Sequence, residues 1–248
     1  QYGSYSQQIE WSKLDSTVDI SNFQEQLFSK DVVEKIQHVS LPKEFVSLAN
    51  KNLPYSSLNP RNYLKERGVT QEDIVRWKMG YCPEGEYAKR IVVPSFGMDG
   101  HCNYFVARSY DNAWKKYLAP PISRDIAFNE LFIDWDSDVS IVEGVFDAVV
   151  AGPNAVPLLG STLREDSNLF AKIIENDTPV YMALDPDAEK KAMRLIKSLL
   201  QYGVEIYKVN IAPFSDVGEM SKHEYNQRKT EAELIDLDNY LLKTIISI

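Results

Sequence analysis

Cysteine is nearly missing: Cys82 and Cys102 are the only two in 248 residues. Two thiols cannot build a disulfide framework or a four-cysteine zinc site, so reduced thiols in a cytoplasmic compartment are expected. Cys82, Cys102, His101 and a distant His38 or His223 would make a conceivable mixed zinc set, yet no zinc is expected here. Long apolar runs are also lacking. No stretch approaches the length of a membrane-crossing helix, and the polar start Gln1-Tyr2-Gly3-Ser4 is no signal peptide, so no membrane partner is expected. A first residue other than Met fits a piece of a longer polypeptide. There is no internal repeat and no low-complexity tract. Positive charge is in short supply, with 27 Lys and Arg against 36 Asp and Glu and a net charge of −9. A protein that grips duplex DNA mainly through phosphates is basic. Any nucleic-acid contact made by this chain is therefore local, weak or helped by another module. What is present is apolar substance: 44% hydrophobic residues suffice for one large domain or two small ones.

The chain is organised around two short apolar runs that end in acid. Ser140-Ile141-Val142 runs into Glu143-Gly144-Val145-Phe146-Asp147, and Tyr181-Met182-Ala183-Leu184 runs into Asp185-Pro186-Asp187. Such runs read as buried strands of a parallel sheet, and the segments after them, Phe146 to Ala151 and Ala188 to Tyr202, carry helical spacing. A strand that ends in a carboxylate and turns into a helix delivers that carboxylate to the carboxyl edge of the sheet, where open α/β sheets bind ligands. Side by side, the two strands would bring Glu143, Asp185 and Asp187 together. Carboxylates that converge without basic partners ask for a hard divalent cation. The same acids would also serve as helix N-caps and first-turn residues.

Residues 1 to 38 read as a polar arm or linker, with a short helix over 25–37. Phe45 to Asn50 is expected to be a short helix between Pro42 and Pro54. Pro60 to Arg67 reads as a helix closed by Gly68, and Thr70 caps a second one, Gln71 to Trp77, with acids in its first turn. Arg90 to Ser95, the turn Met98-Asp99-Gly100 and Cys102 to Ser109 read as a hairpin. Its charges are either solvated edge residues or part of a basic and aromatic surface for single-stranded nucleic acid or triphosphate. That surface would comprise Lys89, Arg90, Arg108, Lys115, Lys116 and Arg124 with Tyr104, Tyr110 and Trp114. Past Pro120-Pro121, strands are expected at 140–142, from Val156, at Tyr181 to Leu184 and at Val204 to Val209, with a helix from Asp166 to Asn176. The loop Leu159-Gly160-Ser161-Thr162 could touch a phosphate or be an ordinary strand-to-helix turn. Residues after Glu231 read as an amphipathic helix.

A Glu-Gly after one strand and an Asp-x-Asp after a later one resemble the Toprim fold. Tyr63-Leu64-Lys65-Glu66-Arg67-Gly68-Val69-Thr70, Trp77-Lys78-Met79-Gly80-Tyr81-Cys82-Pro83, Arg90-Ile91-Val92-Val93-Pro94, Arg108 after Asp99-Gly100, and Lys116-Tyr117-Leu118 resemble, in order and at plausible spacing, segments of the polymerase core of DnaG-type bacterial and phage primases. The match covers about residues 59 to 225. It implies an α/β chain with an α+β basic subdomain over 39–125 and a Rossmann-like Toprim domain with a central parallel sheet over 126–229, to which the amphipathic pattern of the tail adds a C-terminal helix over 230–248. It further implies RNA-primer synthesis on single-stranded DNA from ribonucleoside triphosphates. Glu143, Asp185 and Asp187 would be catalytic, and with Asp147 and Asp216 they would hold two or more Mg²⁺ or Mn²⁺ ions. Arg90, Arg108, Lys115, Lys116 and Ser161 would meet nucleotide or template, and a replicative helicase or a separate zinc-binding domain would be partners. The pattern departs from the family at Gly218, where a second acid is expected and Glu219 is a possible substitute, and at Ala188-Glu189, where a glycine is missing. The same carboxylates would serve a Toprim nuclease, and a non-catalytic replication scaffold is the third reading.

Overall fold

A computed structural model describes residues 37–111, 113–160, 164–185 and 188–236 as one compact unit. Residues 1–36 of the arm expected over 1–38, together with Ser161 and Asp187, lie outside the described residues. Two five-stranded sheets organise the unit. The first is an antiparallel meander in sequence order: β1 (Val46–Ser47), β2 (Gly80–Cys82), β3 (Arg90–Phe96), β4 (Cys102–Ser109) and β5 (Tyr117–Leu118). Helices α1 (Leu58–Glu66) and α2 (Gln71–Arg76) are inserted between β1 and β2. Both faces of this sheet are buried, as the side-chain alternation requires. Ile91 and Val93 of β3 join Tyr104 and Val106 of β4 in the main core, while Val92, Phe105, Ala107 and Cys82 form a second cluster under Leu41, Phe45 and Tyr87.

The expected helix over 45–50 is replaced by β1, which pairs antiparallel with β2 (Val46 with Tyr81, Ser47 with Gly80). The physical reason sits at Gly80. A Cβ there would lie 2.2 Å from the Phe45 ring and 2.6 Å from the Val46 carbonyl, so only glycine lets the two backbones pair with the ring folded over them. Thr70 caps α2 through a reciprocal box: its hydroxyl accepts from the Asp73 amide at 3.2 Å while its own amide donates to Asp73 Oδ2 at 2.8 Å. Asp73 also pairs with Lys222, a partner 149 residues away.

The second sheet contains β6 (Val139–Val142), β7 (Ala155–Pro157), β8 (Val180–Ala183), β9 (Ile206–Lys208) and β10 (Glu233–Leu234), in the spatial order β10-β9-β8-β6-β7. The pairs β6/β7, β6/β8 and β8/β9 are parallel, and β10 closes the edge antiparallel to β9. Four helices accompany it: α3 (Val145–Ala151), α4 (Asn168–Glu175), α5 (Glu189–Gln201) and α6 (Lys222–Thr230). The helix expected over 230–248 does not begin there. Residues 233–234 form β10, and the Ile235 amide donates to the Ile206 carbonyl at 2.8 Å while its side chain is buried. The open edge of β9 offered backbone partners that a helix would have left unused. The remainder of that expected helix lies outside the described residues.

The chain leaves β6 for β7 on one side and then crosses to β8 on the other. The sheet's topological switch point therefore falls between β6 and β8, where a crevice opens at the carboxyl ends of the strands. Among the described residues no helix is long and apolar enough to cross a membrane.

Candidate active site

Strand register fixes the first two acids. Val142 pairs with Ala183 across β6 and β8, so Glu143 follows the end of one strand and Asp185 lies two residues beyond the end of its neighbour, both at the switch point. Asp147 enters from the first turn of α3, and Asp216 precedes a 3-10 turn over Val217–Glu219. All four line one cleft of about 1000 Å³. Its opposite wall comes from the first sheet and α1, with Tyr104, Val106, Arg108, Lys116 and Tyr117 beside Glu66 and Arg67. Arg124 reaches in from the connection between the sheets, and its guanidinium donates to the Leu159 carbonyl at 3.3 Å.

Asp147 is held between two glycine amides. Gly144 donates to its Oδ2 at 2.8 Å and Gly218 to its Oδ1 at 3.0 Å. Burial, with the Asp216 carboxylate nearby, nevertheless pushes its pKa up to about 6, against the pull of both amides and of Arg108. The departure from the family pattern at Gly218 has a local cause. A Cβ there would stand 2.8 Å from Asp147 Oδ1 and 3.1 Å from Asp216 Oδ1, so a backbone N–H occupies the place of a side chain. Glu219 instead turns to the backbone, accepting from the Ser215 amide at 2.9 Å.

Arg108 is buried and precisely aimed. Its Nε donates to the Tyr63 hydroxyl and its Nη1 to the Tyr117 hydroxyl. Its guanidinium stands 4.9 Å from the centre of the Tyr117 ring and 5.3 Å from that of Phe146. Arg67 flanks the same Phe146 ring at 5.3 Å and donates to Tyr63 at 2.8 Å. Two guanidiniums bracketing one ring put fixed positive charge across the cleft from the acids. Arg67 was legible only as a helix residue, although its i+4 spacing from Tyr63 was a usable signal.

The remaining expected binders separate. Lys116 lines the cleft, whereas Lys115 does not. Arg90 is buried in β3, and its guanidinium donates to the carbonyls of Lys115 at 2.7 Å and Lys116 at 3.2 Å. Its charge is spent on holding the loop that presents Lys116, which places it behind the cleft wall. The zinc set built on both cysteines is not formed. Burial, with Glu44 nearby, raises the Cys82 thiol to about 11, and Cys102 donates to the Tyr104 carbonyl at 3.2 Å.

The donor set suits a hard divalent cation: four carboxylates line one cleft, and burial, with Asp216 beside it, pushes the pKa of Asp147 up to about 6. Among the described residues, no three of these acids bring oxygens within 4.8 Å of one another. A cation would have to draw them in.

A DNA primase of Thermotoga maritima is 25% identical over a 214-residue alignment that covers 68% of this chain and 38% of that protein. The solved DnaG primase catalytic domain bound to single-stranded DNA superposes with a TM-score of 0.65, at 18% identity, over 78% of this chain and 77% of that one. This chain has the fold of the DnaG primase catalytic core. The E. coli primase catalytic core gives the same TM-score of 0.65, at 18% identity, over 78% of this chain and 79% of that core. No family model matches the chain. The chain spans well under half the length of the Thermotoga primase. In this chain the two sheets supply the two walls of the cleft.

Proposed function

We propose that this chain is the nucleotidyl-transfer core of a DNA primase, joining ribonucleoside triphosphates into short RNA on a single-stranded DNA template. The observation that carries the reading is the cleft itself: acids from a Toprim-like switch point on one wall, and Arg108, Arg67, Lys116 and Arg124 on the other. A nucleotide triphosphate bound between them would turn its phosphates to the cations and its reacting phosphorus toward the carboxylates. Glu143, Asp147, Asp185 and Asp216 would hold Mg²⁺ or Mn²⁺, with Asp187 assigned to the same set from sequence, and Ser161 would approach a phosphate. Bound there, the cation supplies Lewis-acid activation of the primer 3′-hydroxyl and screens charge developing on the phosphates. Arg108, immobilised by two tyrosine hydroxyls, orients the triphosphate at little entropic cost. Tyr117, exposed on the same wall, offers ring surface, whereas Tyr104 is buried beneath it in the core.

The domain division at about residue 125 follows from the same reading, with the first sheet as template and nucleotide wall and the second as catalytic wall. A zinc-binding domain or a helicase would supply the template grip that an acidic chain lacks. The test is incubation with single-stranded DNA and labelled ribonucleotides in Mg²⁺ or Mn²⁺, beside Asp185→Ala. Template-dependent RNA oligomers are expected from the wild type and none from the variant, with both chains giving the same circular-dichroism melt. Retained synthesis by Asp185→Ala removes the acid assignment. Shortened DNA without RNA product moves the chain to the nucleases.

A further inference from the structure

Three side chains outside the cleft converge at the tip of the β3–β4 hairpin. His38 Nε2 lies 2.5 Å from Asp99 Oδ2, and His101 Nδ1 lies 3.6 Å from the same oxygen. The two imidazoles stack with centroids 4.6 Å apart and planes 27° off parallel. One ligand atom from each residue falls within 4.8 Å of the others, and all three residues are exposed. Four-coordinate zinc with bonds of about 2.1 Å spaces its ligands roughly 3.4 Å apart. The three groups therefore need adjustments of no more than about 1.5 Å to share one ion.

Their arrangement is built by backbone as well as side chain. The hairpin turns at Gly97–Gly100, with the Gly97 amide donating to the His101 carbonyl at 3.0 Å and Gly100 at φ +79°, which glycine adopts without strain. The His101 amide donates to Asp99 Oδ1 at 2.9 Å, which leaves the Oδ2 edge turned to both imidazoles. An outer hydrogen bond that orients a ligand in this way is a regular companion of metal sites. His38 arrives on a separate strap. The Val39 amide donates to the Cys102 carbonyl at 2.8 Å, and Gln37 Nε2 to the Asn103 carbonyl at 3.0 Å.

We propose that His38, Asp99 and His101 bind one late first-row divalent cation of the zinc class, which clips the strap at residues 37–39 to the hairpin tip. Two imidazoles and one carboxylate, with a fourth position open to water, match the preference of Zn²⁺ or Cu²⁺ and not that of Mg²⁺. Neither cysteine takes part, which is why a search for cysteine-based spacing passes over the site. It is independent of the cleft chemistry, so failure of either proposal leaves the other standing.

Only three histidines occur in the chain, and two of them are here. His223 is thus an internal control. The experiment is Cu²⁺ titration of tag-free protein followed by electron paramagnetic resonance, with Zn²⁺ competition to obtain affinity. One equivalent with hyperfine splitting from two nitrogens is expected. The carboxylates of the cleft cannot produce that signal. His38→Ala and His101→Ala should each abolish the two-nitrogen signal, Asp99→Asn should weaken Zn²⁺ by at least about tenfold, and His223→Ala should leave both unchanged. Because all three residues are exposed, metal-free melts of the variants should match the wild type. An absent two-nitrogen signal in the wild type, or one that persists in both histidine variants, overturns the site and leaves only an exposed ion pair.

Discussion

At the scale of single residues, the bond between Asp73 and Lys222 does more than either sequence neighbourhood suggests. Asp73 closes the cap of α2 and also meets the first residue of α6, which ties the first sheet's helices to the second sheet's. Burial alone would raise its pKa, but Lys222 and the Thr70 amide and hydroxyl together hold it below 3.8. A depressed carboxylate contributes stability above its unfolded pKa and loses it as pH falls through the folded one. Lys222→Met should therefore cost about 1–2 kcal/mol in urea denaturation at pH 7, discounted because the lysine is partly exposed. The gap between wild type and variant should be constant above about pH 5 and shrink below pH 4 as Asp73 protonates. A gap independent of pH down to 3 would remove the ion pair as its source. Single residues were unevenly legible. Glu143 and Asp185 could be placed from sequence because a strand end followed by a helix has only one edge to occupy. Arg90 could not, because its direction depends on a loop 25 residues away returning to accept its hydrogen bonds.

At the scale of elements, that return is itself a device. Arg90 in β3, the Lys115 and Lys116 carbonyls and the Ser109 amide, which donates to the Lys116 carbonyl at 2.9 Å, form a tether behind the cleft wall. Arg90→Met keeps the apolar stem and removes the donors. It should destabilise the fold by about 1–3 kcal/mol and, on the proposed primase reading, raise the KM for ribonucleotides more than it lowers kcat, because the loop that presents Lys116 keeps only its tie to the Ser109 amide. An unchanged KM in a steady-state priming assay would place Lys116 outside nucleotide binding. The elements missed in the sequence share a cause. Helix α6 is polar nearly all round, buries only Tyr225, and is secured by the Ser221–Glu224 capping box, by Lys222 to Asp73 and by Lys229 to Asp138. No apolar stripe announces such a helix. Strand β1 is two residues long and owes its pairing to the space over Gly80, which local sequence does not reveal. The hairpin β3–β4 and the parallel strands β6 and β8 were readable because burial imposed a pattern on them.

At the scale of the molecule, the net charge of −9 and a cleft with cations on one wall are compatible. Positive charge is concentrated where phosphates would lie, and the acids that outnumber it include those of the opposite wall. On the proposed primase reading, such a surface would attract a triphosphate locally without holding a long template. The crossing from β7 to β8 over β6 has a further meaning as a ruler. Glu143 and Asp185 are positioned by the count of residues along two adjoining strands, while the turns at the opposite sheet edge contribute nothing to their spacing. The chain should therefore absorb errors of length in one place and not in another. A glycine inserted between the exposed Asn176 and Asp177 should leave template-dependent synthesis near the wild-type rate. The same glycine inserted between Tyr181 and Met182 should abolish it, because one residue reverses every side chain beyond it and carries Asp185 off its mark. Equal activity in the two insertion variants would mean that distance along the strand is not what sets the site.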